Sequence, residues 1–370
     1  MIKAIDLWLP SYVRRESRPA GTMTDLIFCV CDHFEPLHHS DSAGAARRLA
    51  DWQQRYPEVT KGFVDSDGCT PKHTFFYPVE QYAPELLKPL EGLCRNQKCE
   101  VEVHLHHRND TVEGLTRQLQ AGLEALRTHG FLGSDPHGKP AFGFIHGNWA
   151  LDHSHPDGAH CGVKGELAIL KQAGCYGDFT MPSAPDRCQT RRINSLYYAK
   201  STDRPKSHDD GIPVAIASPQ GASTARFRDD ARYLLLLQGP LGLNWMWRKW
   251  GLLPRIENAD LTGKNPPTAG RLKLWLDLIP HVHGQSGWRF LKLHTHGAVG
   301  GNREMLLGKA MMDFHRVLTQ SAKDRPFRLH YVTAREMVNI LHAAESGETG
   351  DAGRFRDFVY APPPILSNCQ

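Results

Sequence analysis

Apolar runs and helical periodicities alternate along most of the chain. Asp25-Leu26-Ile27-Phe28-Cys29-Val30-Cys31 is almost continuously apolar, the pattern of a strand buried on both faces. A helical stretch, 43–56, follows it. His73-Thr74-Phe75-Phe76-Tyr77 reads as a second strand, and Pro84-Glu85-Leu86-Leu87 opens a helix with proline in its first turn. Glu100-Val101-Glu102-Val103-His104 alternates as a third strand. Asp110 or Thr111 then caps a helix to about Thr128, with Val112, Leu115, Leu119, Leu123 and Leu126 along one side. A fourth strand, 141–145, precedes a His/Gly/Asp-rich loop, 146–160, and a helix, 163–173, leads to a short strand at 175–179. The stretch 186–211 is polar and unassigned, and 258–270 reads as a loop. The pattern closes with a helix at 271–278, a strand at 289–293, a helix at 302–318 and a strand–helix pair over 327–344.

Strand followed by helix, repeated, predicts an α/β fold with a parallel sheet closing into a barrel. There is no internal repeat and no clean boundary, so residues 1–370 are expected to form a single catalytic domain. In such folds functional groups gather where strands end. The groups just past the strands are Asp32-His33-Phe34-Glu35, His104-Leu105-His106-His107, His146-Gly147-Asn148-Trp149, Asp178 and His294-Thr295-His296. A parallel sheet would bring all of them to one edge.

Composition narrows the function. Of 370 residues, 40% are hydrophobic and 23% charged, with 44 Lys plus Arg against 40 Asp plus Glu, a net charge of +4 that is too small for a nucleic-acid-binding surface. No apolar run approaches a membrane span; the longest, Tyr233 to Leu237, reads as a buried segment. The start lacks the succession of a signal peptide, so a cytoplasmic location is expected. The nine cysteines (29, 31, 69, 94, 99, 161, 175, 188 and 369) show no CxxC pair, which fits free thiols in a reducing compartment. Cys29 and Cys31 read as strand core, and His38-His39 as a solvated loop. The excess is histidine, 21 residues, many at strand ends.

Imidazole and carboxylate together suit a divalent metal, zinc first, with Co, Ni, Fe or Mn as alternatives. His104 is the firmest ligand, because it sits within the strand; His106 shares its face, and His107 returns there only through a turn. Trp149, Trp245, Trp247 and Trp250 are candidates for a sugar-stacking platform, although ordinary packing explains the last three as well.

From residue 26 to about 110 the chain resembles the polysaccharide deacetylase family of metal-dependent sugar deacetylases. The family's first strand ends Thr-Phe-Asp-Asp-Gly where this one ends Val30-Cys31-Asp32-His33-Phe34-Glu35-Pro36. Thr74-Phe75-Phe76, Pro84-Glu85-Leu86 and Glu100-Val101-Glu102-Val103-His104 follow in the family's order. Leu291-Lys292-Leu293-His294 resembles its Leu-x-His motif, and Tyr331 to Met337 its last strand and helix. The resemblance implies a distorted (β/α)7-type barrel with a core of about 22–345 and an unplaced insertion of about 185–270. It makes His104 a metal ligand and His294 the general acid. The family's second histidine ligand falls on Arg108, so His107 or His106 must substitute. Asp32 is either the metal carboxylate, with Glu35 as base, or the base itself, with His33 in the metal position. His146, Asn148, Trp149, Asp178 and His296 are the expected substrate contacts.

The expected function is removal of an acetyl group from an acetylated amino sugar or a polysaccharide or glycolipid precursor. Two others compete: a glycoside hydrolase using Glu35 and Asp178, which needs two carboxyls about 5–10 Å apart, and a non-catalytic glycan-binding relative.

Overall fold

Strand β1 (Asp25–His33) organises the sheet, pairing in parallel along one whole side with a late strand, Trp288–Thr295. On its other side the first half meets Arg328–Tyr331 and the second half meets β2 (Thr74–Pro78). The computed structural model describes residues 4–15, 22–219 and 221–367, so Cys369 lies outside the described residues.

In chain order, α1 (Ile5–Arg14) precedes β1, and α2 (Ser42–Thr60) links it to β2. The alternation continues with α3 (Pro84–Gln97), β3 (Glu100–Leu105), α4 (Val112–Thr128), a short β4 (Gly133–Ser134) and β5 (Pro140–His146). Next come α5 (Glu166–Gln172), β6 (Cys175–Asp178), β7 (Leu196–Lys200), β8 (Ile212–Pro213) and β9 (Tyr233–Leu237). A hairpin of β10 (Gly242–Lys249) and β11 (Leu253–Glu257) leads to β12 (Asp260–Leu261), α6 (Ala269–Leu276) and β13 (Trp288–Thr295). The chain ends with α7 (Gly300–Leu306), α8 (Lys309–Asp324), β14 (Arg328–Tyr331), α9 (Ala334–Glu345) and α10 (Pro364–Ser367).

The result is a mixed α/β protein around one large sheet, ordered β12-β13-β1-β2-β3-β5-β6-β9-β7-β8 and parallel from β12 through β9. Only β7, β8 and the small β4 run antiparallel to their neighbours. The stretch 185–270 therefore supplies four strands of the same sheet, and the apolar run 233–237 is one of its interior strands. The helix expected over 302–318 is two, α7 and α8, because Gly308 breaks the ladder between them.

The period of two fixes which side chains face where. Leu26, Phe28 and Val30 of β1, Val101, Val103 and Leu105 of β3, and Leu291 and Leu293 of β13 pack under the helices, with Leu49 and Trp52 of α2 and Phe314 of α8. Ile27, Cys29 and Cys31, with Phe290 of β13 and Ile145 of β5, occupy the opposite face. That face is covered by α9, every residue of which is buried, and whose start is fixed by a capping box of Thr333 and Glu336. Functional side chains near the strand ends inherit this alternation.

Candidate metal centre

His33 continues the Cys29–Cys31 face of β1 past the apolar core. His104 and His106 continue the corresponding face of β3, and His294 and His296 that of β13. These groups meet. The His33 ring stacks on His296 with centroids 4.6 Å apart and lies 5.1 Å from His104 and 6.1 Å from His294. Glu35 enters from the loop after β1: its Oε1 is 3.2 Å from His104 Nε2 and 3.5 Å from His106 Nε2. His104 Nδ1 donates to the carbonyl of Ile145 at 2.8 Å, which aims its Nε2 at Glu35. His106 is placed by Glu80, 2.7 Å from its Nδ1, and packs on Gly147, where a Cβ would come within 2.3 Å of the imidazole.

Two overlapping trios, His33–Glu35–His296 and Glu35–His104–His106, each hold their ligand atoms within 4.8 Å of one another. Glu35 is common to both. Their donor chemistry fits a divalent metal, and His33 Nε2 is buried without a hydrogen-bond partner. Burial, reinforced by the neighbouring histidines, holds the His33 pKa well below its ordinary value, so a lone pair is present there at neutral pH. Burial alone would raise Glu35, but hydrogen bonds from His104 and His106 hold its carboxyl far below the usual range. His106, bonded to both Glu35 and Glu80, rises against burial to about 9.

Beside this cluster lies a cleft of about 480 Å³ lined by Trp149, Asp186, Asn258, Asp260, His294 and His296, among others. His294 Nδ1 is buried without a partner, and burial followed by the charge of Lys292 holds its pKa well below the ordinary histidine value. Both His294 and His296 face the cleft, because β13 continues to Thr295 in register with β1. Asp260 pairs in register with His294, and burial pushes its pKa up to about 6. Asp260 and Asn258 lie in a segment whose polarity reads as an ordinary loop. Their one sequence signal is the run Glu257-Asn258-Ala259-Asp260 directly after a strand.

Several expected residues lie elsewhere. Asp32 falls on the Leu26–Phe28–Val30 side of β1, where Oδ1 accepts from the Gly297 amide at 2.6 Å and Oδ2 meets His73 Nε2 at 2.9 Å. Both oxygens are engaged there, and Asp32 belongs to neither of the two trios. His107 and His146 also turn outward, to Glu166 of α5, at 3.0 and 3.3 Å from its Oε1. His146 is completely buried and does not line the cleft. Asp178 gives both oxygens to Thr180 and is buried, with its pKa raised to about 6 by that burial. Neither Glu35 nor Asp178 lines the cleft. Asn148 is exposed, and Trp149 alone of that motif reaches the cleft. Trp245, Trp247 and Trp250 stand exposed on the β10–β11 hairpin and are not part of it.

Among known proteins, the chain matches no family model and no curated sequence. No helix among the described residues is long and apolar enough to cross a membrane.

Proposed function

We propose that the protein is a metal-dependent hydrolase that removes an acetyl group from an acetylated amino sugar, or from a polysaccharide or glycolipid precursor carrying one. The observation that carries this reading is the Glu35 carboxylate set among His33, His104, His106 and His296 at the C-terminal ends of parallel strands, beside a cleft that Trp149, Asn258, Asp260 and His294 help to line. The polysaccharide deacetylase resemblance supports it through His104 and His294, and it carries the expectation of a distorted barrel. Backbone bonds from His283 to Val214 and from Ile216 to His283 support that closure, because they join the segment after β8 to the one before β13.

Glu35 and His104 are the proposed principal ligands, with His33, His106 or His296 completing the set. A divalent metal held by these residues would supply Lewis acidity and lower the pKa of a water. His294, neutral in its buried setting, accepts the proton of the attacking water at Nδ1. It returns that proton to the departing nitrogen as the carbon–nitrogen bond breaks, leaving acetate and a free amine. Trp149 offers an indole face to the sugar ring, and Asp260 and Asn258 offer hydrogen bonds to its hydroxyls.

The test combines elemental analysis with acetate release from a panel of N- and O-acetylated sugars. Wild-type protein should carry metal and release acetate, and His104→Ala should lose both. Full metal content in that variant, or no acetate from any sugar with metal present, would overturn the reading.

A further inference from the structure

The outward-turned residues build a second constellation. His107 follows β3, His146 ends β5, Cys161 lies in the following loop and Glu166 begins α5. Their exposures are 6%, 0%, 1% and 0%, and the four candidate donor atoms all lie within 4.8 Å of one another. Glu166 Oε1 is 3.0 Å from His107 Nε2 and 3.3 Å from His146 Nε2, and Cys161 Sγ is 3.6 Å from Glu166 Oε2. The ligand–ligand edges of a tetrahedral zinc site, from bonds of 2.0–2.3 Å, are about 3.3–3.7 Å.

The remaining ring nitrogens decide how these contacts are read. His146 Nδ1 donates to the carbonyl of Gly147, and His107 Nδ1 donates to Asp110 at 3.1 Å. His107 Nε2 is within hydrogen-bond distance of Glu166 Oε1, whereas His146 Nε2, with Nδ1 already donating, turns a lone pair toward the same oxygen. Lone pair against anion repels, and His146 Nε2 is indeed buried without a hydrogen-bond partner. The thiol points into the same space: its sulfur accepts from the Val163 amide at 3.3 Å and, as a thiol, is a donor to Glu166 Oε2 at 3.6 Å. A cation among the four gives the unpartnered His146 Nε2 a partner and takes a donor atom from each of the other three. Two imidazoles, one thiolate and one carboxylate around a divalent ion also sum to zero charge, as a fully buried site requires.

We infer that His107, His146, Cys161 and Glu166 form a second, closed metal site of structural zinc type, separate from the Glu35 centre. Four protein ligands leave no position for water, so its role is mechanical. It ties β3, β5 and α5 together across the loop 147–165, which carries Trp149 to the cleft. That loop holds Asn148, Trp149, Asp152 and His153 at positive φ of 54–55°, a conformation unfavourable enough to need outside support.

Sulfur makes the site separable by spectroscopy, since the Glu35 centre has no thiolate. Protein produced with cobalt(II) should show a near-ultraviolet sulfur-to-cobalt charge-transfer band and close to two metal equivalents per chain. Cys161→Ser should lose the band and retain the metal at the Glu35 centre, with the 147–165 loop cut faster by protease. Absence of the band in cobalt-loaded wild-type protein overturns the inference without any variant, as does persistence of the band in Cys161→Ser. Neither result depends on catalysis.

A second surface stands on independent observations. The β10–β11 hairpin exposes Trp245, Met246, Trp247, Trp250, Leu252 and Leu253 at 40–77% each. Arg248, Lys249 and Arg255 accompany them, and the hairpin's one acid, Glu257, is buried against Arg271 at 2.7 Å. Lys249 and Arg255 lie over Trp250 and Trp247 at 4.2 and 4.0 Å. Tryptophan and leucine flanked only by exposed cations match the interfacial zone of an anionic bilayer. The geometry points to this hairpin as a peripheral anchor on anionic lipid. Wild-type protein should sediment with vesicles of phosphatidylcholine and phosphatidylglycerol, less at raised salt, and the variant Trp250→Ser/Leu252→Ser should remain in the supernatant. Failure to bind such vesicles overturns the proposal, as does a salt-independent dimer that the same variant dissolves.

Discussion

Replacing Asp32 separates the two roles that its position allows. If the side chain ligated the metal, any substitution would empty the centre. The structure instead makes it a brace between strand ends. The carboxylate is fully buried, takes the Gly297 amide at 2.6 Å and pairs with His73 at 2.9 Å. Gly297 has no room for a side chain, since a Cβ would stand 2.1 Å from Oδ2. Asp32→Ala leaves two buried groups without partners, at about 1–3 kcal/mol each, so a loss of ~4 kcal/mol is expected. Asp32→Asn keeps an acceptor for Gly297 and lets the amide donate to His73, so its loss should be nearer ~1–2 kcal/mol. Urea unfolding can follow this through Trp52, whose ring lies 4.7 Å from His73. Metal content measured on the folded fraction should equal wild type in both variants. An Asp32→Asn protein of near-native stability that has lost the Glu35-centre metal would refute the assignment.

His294→Gln should lower turnover by ~10²-fold or more with metal retained, because the glutamine cannot carry the proton; steady-state rates on an acetylated sugar beside elemental analysis check this. Trp149→Ala should raise KM several-fold more than it lowers kcat, and an unchanged KM would remove the indole from substrate binding. Stability should also fall at alkaline pH. His330 is buried between Asp25 and Asp67, at 2.8 and 2.7 Å, and rises against burial to about 9. Its folded pKa exceeds the unfolded value near 6.5, so this stabilisation is complete below about pH 6.5 and lost as pH climbs through 9, up to about 3 kcal/mol in all. Urea midpoints from pH 6 to 10 should show the decline, and His330→Gln should flatten it.

Local pattern carries a good deal of this protein. The apolar run at 25–31, the alternation at 100–104 and the 3–4 spacing at 112–126 specify strands and a helix, because burial on a sheet or under a helix selects those periods. The clustering of imidazoles at strand ends is equally local, and it marks His33, Glu35, His104, His106, His294 and His296 together with Asp32, His107, His146 and Asp178, without separating the two sets. What the chain could not settle by itself is the face each side chain takes. One residue of register sends a group to the opposite side of a sheet, and this alone parts Asp32 from His33 and His146 from His104. His107 leaves its neighbour His106 because the turn after β3 points it at α5, more than fifty residues further along. Cys161 and Glu166 look unremarkable in sequence, and Asp260 sits in an apparent loop. They acquire chemistry only where the packing of α5 and the pairing of β12 with β13 bring distant segments within ligand distance.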